Sequence, residues 1–524
     1  MTSQSSPPHQ RRPLAGNASW RLASVIVRVA LGIVSVSWFI RILGISQWGL
    51  LALFQAAVAP LALLEGLGTA TVKYASEALG RQDRPGATKV VQTTVLLNLA
   101  LGCAGMLGLF ASARWLATSV FAIPLVEVER AVGGFRIIAV VWFFTVTAAT
   151  YSAVLAAHQR YDAIAQLGVA SFILSTAAGL LAARWTRNIL WVLLAQAAVA
   201  GVMAYVNFRR AAGLLPGLAS RPRLDGPSVR RSGRFWGWQL VAAVGSLATA
   251  WADRYILGAY FVPAVVGFYA IANMLLTQVY VAFYEMAEVL FPAVSALEGQ
   301  GELPAARRLA LLAGWTLTSG FGVCAAVLAV VGSDFVHLWI SPDAARATSA
   351  MLRVLCVGGI AGMTAIAPLQ YVLGVGETRW NAFSGAVAGV LVVGLGFALV
   401  PRYGLTGIGY GLLVAALARW VFVLLIWREH FSREFRFGEF AEHVWTPPLI
   451  SIATLLVAVQ CHDRIDHVPS WPWFAVETLL SLSAIAAVQL ILSELLPGGA
   501  RRRRDVAASL KPILAKALSA IPGR

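Results

Sequence analysis

Of 524 residues, 59% are hydrophobic and only 12% charged, and the mean hydropathy is +0.73, whereas a soluble domain carries roughly 25% charge. That balance excludes a soluble globular enzyme and defines an all-α polytopic membrane protein. The net charge of +17 does not signal nucleic acid, because most Lys and Arg residues lie in short segments between apolar runs, where they orient spans and meet anionic lipid.

The chain opens with a polar, Pro-rich stretch, 1–19, expected to be a disordered cytoplasmic leader. No small-residue cleavage site follows, so the next apolar run stays attached as a first span. Runs of about 20 residues, enough to cross a hydrocarbon core of about 30 Å, fall at 20–41, 48–68, 89–111, 135–157, 163–184, 188–208, 234–253, 267–291, 307–331, 346–373, 380–400, 405–427, 446–461 and 472–495. Fourteen spans are therefore expected; the short thirteenth run and the tight break at 185–187 set a lower bound of twelve. Lys and Arg concentrate in every second connecting segment, which places both termini on the cytoplasmic side of the membrane.

A basic cytoplasmic linker, 209–233, separates an N-terminal six-helix lobe (20–208) from a C-terminal one (234–427). Two additional spans (428–496) and a basic tail (497–524) follow. In the tail Val506, Leu510, Ile513, Leu514, Ala517, Leu518 and Ile521 recur at helical spacing behind Arg501 to Arg504, which predicts an amphipathic helix on the inner leaflet. The lobes echo one another: RILGISQWGLLAL (41–53) matches RYILGAYFVPAVVGFYAI (254–271), and FRIIA (135–139) stands before its span as LRVLC (352–356) does. An even number of helices separates the copies, so they are expected to be parallel repeats.

Chemistry of the enzymatic kind is not legible. Cys103, Cys324, Cys356 and Cys461 lie apart and are expected to pack; the seven histidines show no triad or metal spacing; no GxxxxGK phosphate loop is present. No catalytic residue, metal or cofactor is expected. The informative residues are instead charges inside spans, where a glutamate costs on the order of 2–3 kcal/mol. Arg28 lies about 12 Å up the first span, and Glu65 and Glu285 occupy nearly equivalent places in the cytoplasmic halves of the second and eighth. Glu288 and Lys73 read equally as interfacial residues. Arg41, Asp253 and Arg254, at outer helix ends, fit a loop ion pair or a cavity role, and Arg136, Arg353 and Arg419 read as ties between helices. Tyr280 and Tyr284 fit sugar stacking or plain packing.

The stretches RILGISQWGLLALFQAAVAPLALLEGLG with VKYAS, and ADRYILGAYFVPAVVGFYAIANML with VLFPAVSAL, resemble the bacterial polysaccharide and O-antigen flippases of the multidrug/oligosaccharidyl-lipid/polysaccharide exporter superfamily. The resemblance implies a V-shaped, two-lobed transporter whose first, second, seventh and eighth spans line a cavity. Its cargo would be a polyprenyl-diphosphate-linked oligosaccharide moved to the outer leaflet. On that architecture Arg28, Arg41, Glu65, Lys73, Arg254 and Glu285 are expected to bind substrate. Glu65, Glu285 and Glu288 are expected to be coupling carboxylates, should H⁺ or Na⁺ drive the cycle. The implied partners are the lipid-linked oligosaccharide, membrane lipid and polysaccharide polymerase or assembly proteins, around a monomer. A peptidoglycan lipid-precursor flippase, a cation-coupled multidrug antiporter and an assembly partner without transport are the alternatives.

Overall fold

The computed structural model describes residues 31–158, 160–219, 224–230, 247, 250–465 and 467–495. Nearly all of these are helical, and no strand occurs among them. The expectations for the leader, for Arg28 and for the amphipathic tail lie outside the described residues. The chain divides into two compact units, Met1–Val244 and Gly245–Arg524.

In the first unit α1 (Leu31–Leu43) is parted from α2 (Ile45–Val58) by Gly44, whose φ of 85° is open to glycine and strained for a side chain. Pro60 has no N–H to return to the Ala56 carbonyl. There the second span tightens into a 3₁₀ turn, Ala59–Gly66, before resuming as α3 (Leu67–Gly80). Asp83 caps α4 (Arg84–Trp115) by accepting from the Gly86 N–H at 2.8 Å, with Pro85 in the first turn. After α4 come α5 (Leu125–Ala157), α6 (Tyr161–Thr186) and α7 (Ile189–Leu214). The central element is α5, which packs on α2, α3, α4 and α7, and Phe135 meets Phe54 edge to face at 4.9 Å. The linker turns back onto α4, the Asp225 N–H donating to Thr93 Oγ1 at 3.1 Å.

The second unit continues with α8 (250–260), α9 (Pro263–Glu288), α10 (Leu290–Gly299), α11 (Leu303–Trp339), α12 (Pro342–Met363) and α13 (Ile366–Gly374). It ends with α14 (Arg379–Tyr403), α15 (Leu405–Ile426, running into a π turn to Phe431), α16 (Phe437–Val444), α17 (Thr446–His462) and α18 (Trp471–Leu495). Prolines place two interruptions here as well. Pro292 leaves the Glu288 carbonyl without its helical donor, where α9 gives way to α10, and Pro368 does the same to Thr364 between α12 and α13. The hub is α11, which touches α9, α10, α12, α13, α16, α17 and α18.

Eleven helical stretches among the described residues are long and apolar enough to cross a membrane, or twelve if α16 and α17, bent by 41°, form one span. The expected runs 20–41 and 234–253 are described only in part, as α1 and α8. An all-α polytopic protein is thus established, with eleven or twelve candidate spans among the described residues against the fourteen expected. Observed helices overrun the apolar windows because the helix outlasts the hydrocarbon: α11 has 37 residues, about 55 Å of rise, against a core of about 30 Å.

Candidate functional site

On α9 the spacing of Tyr280 and Tyr284 puts both rings on one face, stacked at 6.2 Å with 17° between planes. Phe321 of α11 braces them, edge to face with Tyr280 at 5.9 Å and with the neighbouring Phe283 at 5.8 Å. Arg419 of α15 lies within electrostatic range of both tyrosine hydroxyls, as Glu288 does of Tyr284. The rotation of α15 is fixed next door, where Trp420 Nε1 donates to the Ala361 carbonyl of α12 at 2.8 Å.

Arg419 Nε is buried and makes no hydrogen bond, as is also true of Arg307 and Arg353 Nε, but those two pair with Glu434 and Asp463, whereas Arg419 pairs with no acid among the described residues. An unmet buried donor costs about 1–3 kcal/mol, and more when it belongs to a charged group. A guanidinium with an open donor beside stacked phenols is therefore suited to an anionic, ring-bearing ligand, since its planar fork takes phosphate oxygens in pairs. Glu285 is half-buried and Glu288 exposed. Among the described residues neither accepts a hydrogen bond or pairs with a cation.

Asp253 and Arg254 are not a plain loop salt bridge. Asp253 of α8 is buried and accepts short hydrogen bonds from the Tyr269 hydroxyl of α9 and, at 2.8 Å, from the Arg254 N–H. The Arg254 guanidinium stands 3.6 Å from that carboxylate and lies over the Trp251 ring at 4.5 Å. Tyr269 is fully buried, and no feature of the sequence singled it out. Arg254, expected to bind substrate, is thus already engaged on three sides by its own helix and Asp253.

The remaining candidates are dispersed. Arg41 ends α1 and is exposed, Glu65 sits in the 3₁₀ turn and Lys73 in α3, and Glu65 and Lys73 side chains lie outside the described residues, as does Arg28. The tie readings hold for two arginines: Arg136 covers the Phe110 ring at 4.8 Å, and Arg353 of α12 grips Asp463 beyond α17 with two bonds of 2.8 and 2.5 Å. For Arg419 no acidic partner occurs among the described residues.

The described residues thus form helical, polytopic units that hold ionisable groups inside their spans, where such groups mark functional sites. The chain belongs to the polysaccharide biosynthesis protein family, whose model matches residues 39–313. No curated protein matches it. Among solved structures, its fold is similar to that of the lipid II flippase MurJ in an inward closed conformation. The TM-score there is 0.68 at 13% identity, covering 92% of this chain and 98% of that one. It is also similar to an inward-facing multidrug resistance MATE family transporter of the MOP superfamily, with a TM-score of 0.64 at 14% identity over 86% and 100%. The family and fold agree with the resemblance drawn from the motifs to the polysaccharide flippases of that superfamily.

Proposed function

We propose that the protein flips a polyprenyl-diphosphate-linked oligosaccharide, an O-antigen, capsule or exopolysaccharide repeat unit, across the bacterial cytoplasmic membrane with both termini inside. Membership of the polysaccharide biosynthesis family supports the cargo class. The observation that carries the chemistry is Arg419, with a buried unmet donor and no acidic partner among the described residues, within electrostatic range of stacked Tyr280 and Tyr284. In this reading the guanidinium takes diphosphate oxygens and the phenol faces take sugar. Arg28, Arg41, Lys73 and Arg254 add positive charge for the head group. Glu65, Glu285 and Glu288 exchange H⁺ or Na⁺ if the cycle is driven. Only binding that differs between two states of the protein shifts their balance, so an anion that engages Arg419 in one state alone would move the cycle forward.

The second reading is a peptidoglycan lipid precursor, favoured by the fold shared with a lipid II flippase. Both cargoes carry diphosphate, so the test must separate them. In cells dependent on this gene, Arg419→Ala is expected to abolish delivery of surface polysaccharide, Arg419→Lys to retain a small part, and both to leave membrane abundance near normal. Wild-type delivery by Arg419→Ala would sink the site. Growth arrest with lysis and intact surface polysaccharide would move the cargo to peptidoglycan.

A further inference from the structure

A cluster at the far end of α11 plays no part in the transport reading. Asp334 lies near the end of α11, His462 closes α17, His467 follows in the loop, and Glu477 stands in the second turn of α18. One ring nitrogen from each histidine and one oxygen from each carboxylate lie within 4.8 Å of one another. His462 Nδ1 is 2.6 Å from Glu477 Oε1, and His467 Nε2 is 2.5 Å from Asp334 Oδ2. The group is shielded, Asp334, His462 and Glu477 being 7%, 7% and 8% exposed. Glu477 Oε2 is buried with no hydrogen-bond partner. Among the described residues no Lys or Arg pairs with any of the four.

Were both imidazoles neutral, the two carboxylates would leave a charge of −2 in a place largely closed to water, which costs several kcal/mol per ion unless a proton or a metal cation sits between them. The hydrogen bonding of His467 sharpens this. Its Nδ1 is 3.0 Å from the Ile465 carbonyl, an acceptor only, so Nδ1 carries the proton. In the neutral ring Nε2 then turns a lone pair toward the Asp334 oxygen, and two lone pairs at that distance repel unless a proton or a cation lies between them. A backbone carbonyl that fixes the tautomer and leaves the other nitrogen free is the usual outer support of a metal-bound histidine.

We propose that Asp334, His462, His467 and Glu477 form a site for one divalent transition-metal ion of the zinc type, which fastens α17 and α18 to α11. Two nitrogens and two oxygens suit zinc, which binds them at about 2.0–2.2 Å in tetrahedral array, whereas Mg²⁺ and Ca²⁺ favour all-oxygen sites. The ion would take the place of the protons that bridge nitrogen to carboxylate, so binding releases those protons to solvent. The unmet Glu477 oxygen, within the same group, becomes a ligand or the partner of one. This inference is independent of the cargo.

The test uses the purified full-length protein in detergent, stripped with EDTA and re-dialysed against Zn²⁺ or Mg²⁺. Mass spectrometry is expected to find one zinc per chain and no magnesium, and Co²⁺ is expected to give the visible absorption of a tetrahedral site. Zinc is expected to raise the melting temperature. His467→Asn, in a loop, and Glu477→Gln, which can still bond His462, are each expected to weaken zinc by about 100-fold or more, beyond the 10–100-fold typical of outer supports. Their metal-free melting temperatures check that they fold. Failure of the stripped wild type to take up zinc, or zinc affinity unchanged in both variants, would overturn the site and leave a proton-bridged tie between helices.

Discussion

The second unit holds two histidine and carboxylate clusters built from the same residue types, and they solve their charge problem differently. Glu377, Glu429 and His430 also present ligand atoms close together. There, however, Arg379 is bonded to Glu377 at 3.0 Å and to Glu429 by a still shorter contact. Next to them Glu434 holds Arg307 at the start of α11, about 40 Å of helix away from Asp334. The arginine and acids of this cluster are also partly open to water, at 53% for Arg379, 33% for Glu377 and 39% for Glu429, though His430 Nε2 is buried, so water and an internal cation balance its acids. The Asp334 cluster has no such arginine among the described residues and is more buried, so what differs is counter-charge and exposure rather than the kinds of ligand.

If α17 and α18 are held to α11 partly by that cluster, the rest of the hold is apolar and should be the larger share. Gly322 of α11 has no room for a side chain: a Cβ there would stand 2.1 Å from Ser451 Oγ of α17, which in turn accepts from Gln489 Nε2 of α18 at 2.9 Å. Gly322→Leu is expected to cost about 3 kcal/mol through overpacking and loss of that bond, read as a fall in melting temperature that zinc does not repair. An unchanged melting temperature would mean that the three helices are not closely seated. Glu477→Ala comes next. Removing it leaves the buried His462 without its partner, an expected loss of about 2 kcal/mol without metal. With zinc at 100 times its dissociation constant the gap to wild type should widen by about 2.7 kcal/mol. A gap that zinc leaves unchanged would show that the cluster acts only through its hydrogen bonds.

How far these regions were legible beforehand follows from what sets each. Span positions were, because every helix in hydrocarbon must be long and apolar; the windows 307–331 and 472–495 lie inside α11 and α18. The interruptions after Val58, at Val289 and after Met363 are written in Pro60, Pro292 and Pro368, once the helix is known to reach them. A charge in a span is visible as such, but its partner is not. Arg353 and Arg419 look alike in sequence, and each leaves a buried Nε unbonded, yet the terminal nitrogens of one are held by Asp463 while the other pairs with no acid among the described residues. The Asp334 cluster has no spacing to read, because three helices and a loop supply its members and only their packing brings them together. The described residues leave Arg28, Glu65 and Lys73 as the sequence left them.

The smallest expected effect is the most direct test of the contrast. Arg379→Gln removes a cation whose pairs with Glu377 and Glu429 are open to solvent, and such pairs contribute within about 1 kcal/mol, less at high salt. The melting temperature should therefore fall slightly at low ionic strength and scarcely at all in concentrated salt. The charge left behind is a different matter. Glu377 and Glu429 would face each other with His430 Nε2, 3.4 Å from Glu377 Oε2, as the nearest group able to bring a cation in, so the variant should acquire a weak zinc site absent from the wild-type cluster. Because that place is wet, water would ease the same repulsion, and binding there should be at least tenfold weaker than at Asp334. A second zinc per chain, lost on adding Glu377→Gln, would establish that the arginine alone distinguishes the two clusters. If Arg379→Gln takes up no more zinc than wild type, burial rather than counter-charge sets them apart.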